Sequence, residues 1–193
     1  LYPLEKVNPL FSKFKQDGNN TMEQALICIS RQYGSGGREI GEQLAKKLGV
    51  VCYDKLLIRQ AARESGLSES LIAQDDERPV EFSFAISGDP FADSAALGQA
   101  FYSEQTQIYD AERRVILELA EKGPCVIIGR CASAILRSAG CTPLSVFIYA
   151  DPADRAARIA ARNHIGQREA LHRAQKIDRM RKKHFDFYAD TLW

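Results

Sequence analysis

The sequence predicts an α/β fold, a three-layer α/β/α sandwich with a parallel β-sheet at its centre. Three observations carry this. Four short apolar runs, at 26–29, 50–53, 125–128 and 144–149, are rich in β-branched residues and lack polar alternation, as strands buried on both faces do. Between and after them, apolar residues recur three and four apart, the period of an amphipathic helix. The strand–helix order then repeats, which is how a parallel sheet is wound.

Taken in order, residues 1–20 carry two prolines and end in Gly18-Asn19-Asn20, so they read as an N-terminal extension to a domain spanning 21–193. The first strand, Leu26-Ile27-Cys28-Ile29, runs into a turn containing Gly34, Gly36 and Gly37. A helix starts near Arg38 and buries Ile40, Leu44, Ala45 and Leu48. The second strand ends at Asp54, and a helix over 55–64 stops at Ser65-Gly66. Ser68 is placed to cap another short helix. Residues 75–98 hold Pro79, Gly88, Pro90 and Gly98, with Phe82, Phe84 and Phe91 among polar residues, and read as a loop insertion. A long helix over 100–122 carries Ile108, Ala111, Val115 and Leu119 on one face and ends at Gly123-Pro124. The third strand ends in Gly129-Arg130, and a helix over 132–138 stops at Gly140. The fourth strand ends in Ala150-Asp151-Pro152, and Pro152 opens a helix to about Arg162. After a break at 163–166, a last helix covers 168–188.

Composition bounds the function classes. A chain of 193 residues with 45% hydrophobic and 26% charged residues is an ordinary globular domain. A formal net charge of +1 argues against a global field for nucleic acid or membranes. Five cysteines without a C-x-x-C pair, and three histidines confined to the tail, argue against a zinc site. No apolar run reaches the length of a membrane span, and a reducing cytoplasm is the default location.

Chemistry concentrates at the first turn. Glycines between a buried strand and a helix N-terminus allow the backbone to wrap a phosphate, and the helix's first N–H groups favour an anion. A glycine-rich turn that binds nothing remains the alternative. The pattern departs from the phosphate-loop sequence G-x-x-x-x-G-K-[ST]: Arg31 stands at the first Gly, Gly37 at the Lys and Arg38 at the Ser/Thr. Arg38 or Arg31 can supply the missing charge, because a guanidinium pairs well with phosphate. In such sheets ligands bind beyond the carboxyl ends of the strands, where residues 31–37, Asp54, Arg130 and Asp151 fall.

The ordered blocks ISRQYGSGGREIGEQLAKKLG, CYDKLLIRQAARESGLSE, IIGRCASAIL, VFIYADPADRAARI and IDRMRKKHFDFYADTLW resemble the cytidylate kinase-like family, from about Leu26 to Trp193. The resemblance implies a P-loop, nucleoside monophosphate kinase-like core that transfers phosphate from ATP to CMP or dCMP. Mg²⁺ would be held mainly by the phosphates and water, not by side chains. It implies that Arg31, Gly34, Ser35, Gly36, Gly37 and Arg38 bind the donor phosphates, and that Asp54, Arg59 and Arg130 bind the acceptor. Arg38, Arg158 and Arg162 would carry the catalytic charges, with Arg173, Asp178 and Arg181 on a lid. Arg59 stands one residue off the family's arginine, and Cys131 replaces the Asp of its G-R-D motif. The family continues past the terminal Trp with a strand and a helix, so these are expected to be missing here. Nucleotides are the implied partners, for a monomer or homodimer without nucleic acid or membrane. Two other classes stay open: a non-catalytic nucleotide-binding sensor or scaffold, and a kinase of another small molecule.

Overall fold

A computed structural model describes residues 25–55, 57–58 and 94–189, with the backbone alone over 94–105. The expected extension at 1–20, the insertion over 75–93, the helix from Ser68 and Arg59 lie outside the described residues. The elements run β1 (Leu26–Arg31), α1 (Gly37–Leu48), β2 (Val51–Tyr53), α2 (Ser94–Glu121), β3 (Cys125–Ile128), α3 (Ala132–Ser138), β4 (Leu144–Ile148), α4 (Pro152–Asn163) and α5 (Gln167–Tyr188). The four strands form one sheet in the order β2-β3-β1-β4, and every pairing is parallel. β1 and β3 are therefore central, and Ile29 lies opposite Ile128 at their carboxyl ends.

Alternation within the strands makes the layers. Ile27, Ile29, Val126 and Ile128 face Leu44, Ala45 and Leu48 of α1. Cys28, Cys125 and Ile127 face the opposite way, onto Ala111, Val115, Ile116 and Leu119 of α2 and Ile135 and Leu136 of α3. Helices on both faces give the expected three-layer sandwich. A third cluster, Ala156 and Ile159 with Ala170 and Ala174, joins α4 to α5. Gly41 lets α1 lie close on the sheet, since a Cβ there would sit 2.7 Å from Ile128 Cδ1.

Local signals end the helices as expected. Gly49 closes α1 in the left-handed region. Asp151 caps α4 by accepting a hydrogen bond from Ala153 N–H at 2.8 Å, so this strand-end carboxylate serves a helix start and not the crevice. One boundary is corrected: α2 begins at Ser94, so the last five residues of the predicted loop, 94–98, are helical. A single Gly98 among good helix formers costs only about 1 kcal/mol against Ala, too little to stop a long helix.

Candidate active site

The glycine loop links the two central layers. After Arg31 the chain reverses over 32–36, with Gly34 at φ 80° and Gly36 at φ 82°, conformations that side chains resist. Buried Ser35 donates its hydroxyl to Gln32 O at 2.9 Å, which fixes the turn. The first helical bond is Ile40 N–H to Gly36 O at 3.0 Å, so the amides of residues 37–39 precede any intrahelical acceptor. They form the positive end of α1.

Helices α4 and α5 grip this loop from far along the chain. Asp178 accepts from Tyr33 N–H through Oδ1 and from Arg155 Nη2 through Oδ2, each at 2.7 Å. Arg181 donates to Arg31 O at 3.0 Å and lies 5.6 Å from the Tyr33 ring centroid. Arg158 donates to Gly34 O at 2.6 Å, and its Nη1 is 3.2 Å from where a Cβ on Gly36 would stand.

A set of guanidinium groups gathers at the ends of β1 and β3. The Arg31 side chain turns over Gly37 and rests its guanidinium against Gly129. Burial, then the neighbouring Arg181 and Arg130, push its pKa down to about 10, which still leaves it charged at neutral pH. Burial likewise lowers Arg181. Arg130 sits in a run of three left-handed residues, Gly129, Arg130 and Cys131, at φ 78°, 57° and 53°. Its Nη1 lies 3.2 Å from Oε1 of the buried Glu112. Arg38 bridges Glu42 at 2.9 Å and Asp54 at 2.8 Å, and Asp54 in turn accepts from Leu57 N–H at 3.1 Å.

Behind Arg130, Cys131 Sγ lies 3.3 Å from His184 Nδ1. Burial pushes the thiol up to about 12, and burial with Arg130 and Lys55 pushes the imidazole down to about 4. The pair is thus neutral at pH 7, a packed hydrogen bond and not an activated thiolate.

Residues 26–193 match the model of the cytidylate kinase-like family. The chain belongs to the cytidylate kinase-like family. Its fold is similar to that of an uncharacterised protein from Eubacterium ventriosum ATCC 27560, at 27% identity over 88% of this chain and 81% of that one, with TM-score 0.62. More distant likenesses are a shikimate kinase from Acinetobacter baumannii solved with shikimate (16% identity, 86% and 82% covered, TM-score 0.44) and TT1252 from Thermus thermophilus (18%, 81% and 84%, TM-score 0.43). None of the curated proteins matches the sequence.

For this kinase-like chain, the fold brings eleven of the expected residues to one place: Arg31, Gly34, Ser35, Gly36, Gly37, Arg38, Asp54, Arg130, Arg158, Asp178 and Arg181. Two others stand apart. Arg162 pairs with Glu39 at 3.2 Å on the exposed side of α1, and Arg173 is exposed on α5 without an ion pair among the described residues. Asp178 and Arg181, expected on a lid, bond directly to the loop backbone. Sequence reasoning missed Arg155, Glu112, Tyr33 and His184. Two had a signal: Glu112 lies on the stripe of Ile108 and Val115, and Arg155 on that of Ile159, so each is a charge on a buried helix face. Among the described residues no group of three or more His, Cys, Asp or Glu is placed to hold a metal, and no helix is long and apolar enough to cross a membrane.

Proposed function

We propose that the protein is a phosphotransferase that converts ATP and CMP or dCMP to ADP and CDP or dCDP. The carrying observation is the convergence of the glycine loop with the guanidinium groups of Arg31, Arg130, Arg158 and Arg181 at the carboxyl ends of β1 and β3. The residues present fit a nucleotide donor: helix-start amides without intrahelical acceptors and partly buried positive charge suit a polyphosphate. They fit Mg²⁺ only through that donor, because Ser35 is engaged with Gln32 O and no side-chain cluster among the described residues offers ligands.

ATP with its Mg²⁺ supplies the phosphoryl group and part of the charge neutralisation. A phosphate oxygen of the acceptor bonds to the γ-phosphorus, the bond to the bridging oxygen breaks, and ADP leaves with that electron pair. The protein's task is positioning and charge neutralisation. The amides of 34–38 hold the donor, and Arg38 and Arg158 carry charge near it, whereas Arg162 would first have to leave Glu39. Asp54, Arg59 and Arg130 orient the acceptor, while Asp178 and Arg181 brace the loop that holds the donor.

Cys131 in place of the family's Asp favours a second reading, a kinase of another small molecule. The pairing of Arg38 with Asp54 favours a third, a non-catalytic nucleotide sensor or scaffold. A coupled assay with ATP and CMP, dCMP, UMP or AMP separates these. Turnover with CMP or dCMP supports the first reading. Turnover only with other acceptors supports the second. A rise in melting temperature with ATP but no turnover supports the third.

A further inference from the structure

Two departures from the phosphate-loop pattern meet in space. Gly37, at the lysine position, does not have a positive φ, so its backbone does not require glycine. What chiefly excludes a side chain there is Arg31: a Cβ on Gly37 would lie 2.6 Å from Arg31 Cβ and 2.9 Å from Arg31 Cγ, with Ile148 Cβ next at 3.3 Å. Arg31 itself stands where the pattern has glycine. Its stem therefore occupies the space through which a lysine at 37 would leave the backbone. Beyond that stem the guanidinium lies against Gly129, where any Cβ would collide with it. Two glycines thus make a slot for one arginine.

We infer that Arg31 and Gly37 are a reciprocal exchange: the cation that the phosphate loop ordinarily carries at 37 enters from 31, and Arg31 binds the oxygens of the transferring phosphoryl group. The inference rests on the phosphotransferase reading for its ligand and on the slot for its geometry. The Arg31 guanidinium makes no hydrogen bond or ion pair with another described residue. It is partly buried beside Arg130 and Arg181, with the Asp54 carboxylate also near, and this excess of positive charge favours a bound polyanion. Arg38, the other candidate, is half exposed and already bridges Glu42 and Asp54. The slot also opens at the right place, between the start of α1 and the end of β3, where a donor on the loop and an acceptor in the crevice meet.

The test uses the full chain and two readouts. The first is thermal unfolding without ligand for Gly37→Ala, Arg31→Gly and the double variant. Gly37→Ala is expected to lower the melting temperature clearly in the native background and by much less, or not at all, in the Arg31→Gly background, where only Ile148 Cβ at 3.3 Å stays close. Equal shifts in both backgrounds overturn the exchange. The second is calorimetric affinity for inorganic tripolyphosphate. Arg31→Gln is expected to weaken it at least tenfold, Arg31→Lys less, and Arg31→Gly with Gly37→Lys to recover at least threefold over Arg31→Gly alone. Lys46→Gln, a charge removed from the exposed end of α1, is the control for general electrostatics. If Arg31→Gln binds as tightly as the native chain, the assignment of Arg31 falls while the phosphotransferase reading stands. If the native chain binds no tripolyphosphate, that reading falls and takes the ligand of Arg31 with it.

Discussion

Replacing Asp178 with Asn removes one negative charge from the point where the glycine loop, α4 and α5 meet. The native carboxylate accepts from Tyr33 N–H and Arg155 Nη2, both at 2.7 Å. An amide has one acceptor oxygen, so its NH₂ must face a donor on one side or the other. Arg155 is only 6% exposed, and its Nε already lacks a hydrogen-bond partner, so the charge left behind has poor access to water. Breaking a buried pair from one side costs about 3–5 kcal/mol. At about 2–4 °C per kcal/mol for a chain of this size, the melting temperature should fall by roughly 6–20 °C. Arg155→Met removes the stranded cation. In the double variant the loss should therefore be smaller than the sum of the two single losses, by about 2 kcal/mol or more. Denaturant and thermal unfolding of the four proteins measure this cycle. Additivity within about 0.5 kcal/mol, or an Asp178→Asn protein that melts within about 2 °C of the native one, would refute the clasp.

Two further outcomes follow from the packing. His184 has a folded pKa of about 4 against 6.5 unfolded, so the unfolded chain binds the extra proton and stability declines as pH falls from about 6.5 to about 4. At about 1.4 kcal/mol per pH unit the decline is worth roughly 3 kcal/mol, and melting curves across that window should flatten in His184→Gln; an unchanged slope would remove the burial argument. Gly41→Ala normally gains about 1 kcal/mol in a helix. Here the new methyl would meet Ile128 Cδ1 at 2.7 Å and Ile29 Cδ1 at 3.2 Å, so a net loss of about 1–3 kcal/mol in chemical denaturation is expected, and any gain counts against the packing of α1.

Much of the fold was legible from residues near one another in the chain. The apolar runs of β1 and β3 and the three-four spacing of α1 are local patterns, and Pro152 and Gly49 mark ends by backbone chemistry that needs no partner. Gly98 misled because a breaker's cost is weighed against the whole helix around it, not against its neighbours. The site divides in the same way. A turn at Gly34 and Gly36 was readable from glycine alone, and so were the strand-end charges Asp54 and Arg130. That Asp178 would hold the amide of Tyr33, 145 residues away, was not.

By itself, then, the sequence determined which segments are strands and helices, where the glycine turn lies, and that the lysine of the phosphate-loop pattern is absent from it. Only the tertiary structure decided that Arg31 fills the room over Gly37, that Asp178 and Arg155 hold the loop, and that Asp54 engages Arg38. The physical reason is range. Backbone preference and periodicity act over a few residues, whereas which side chains share a space depends on how α1, α4 and α5 pack on the sheet.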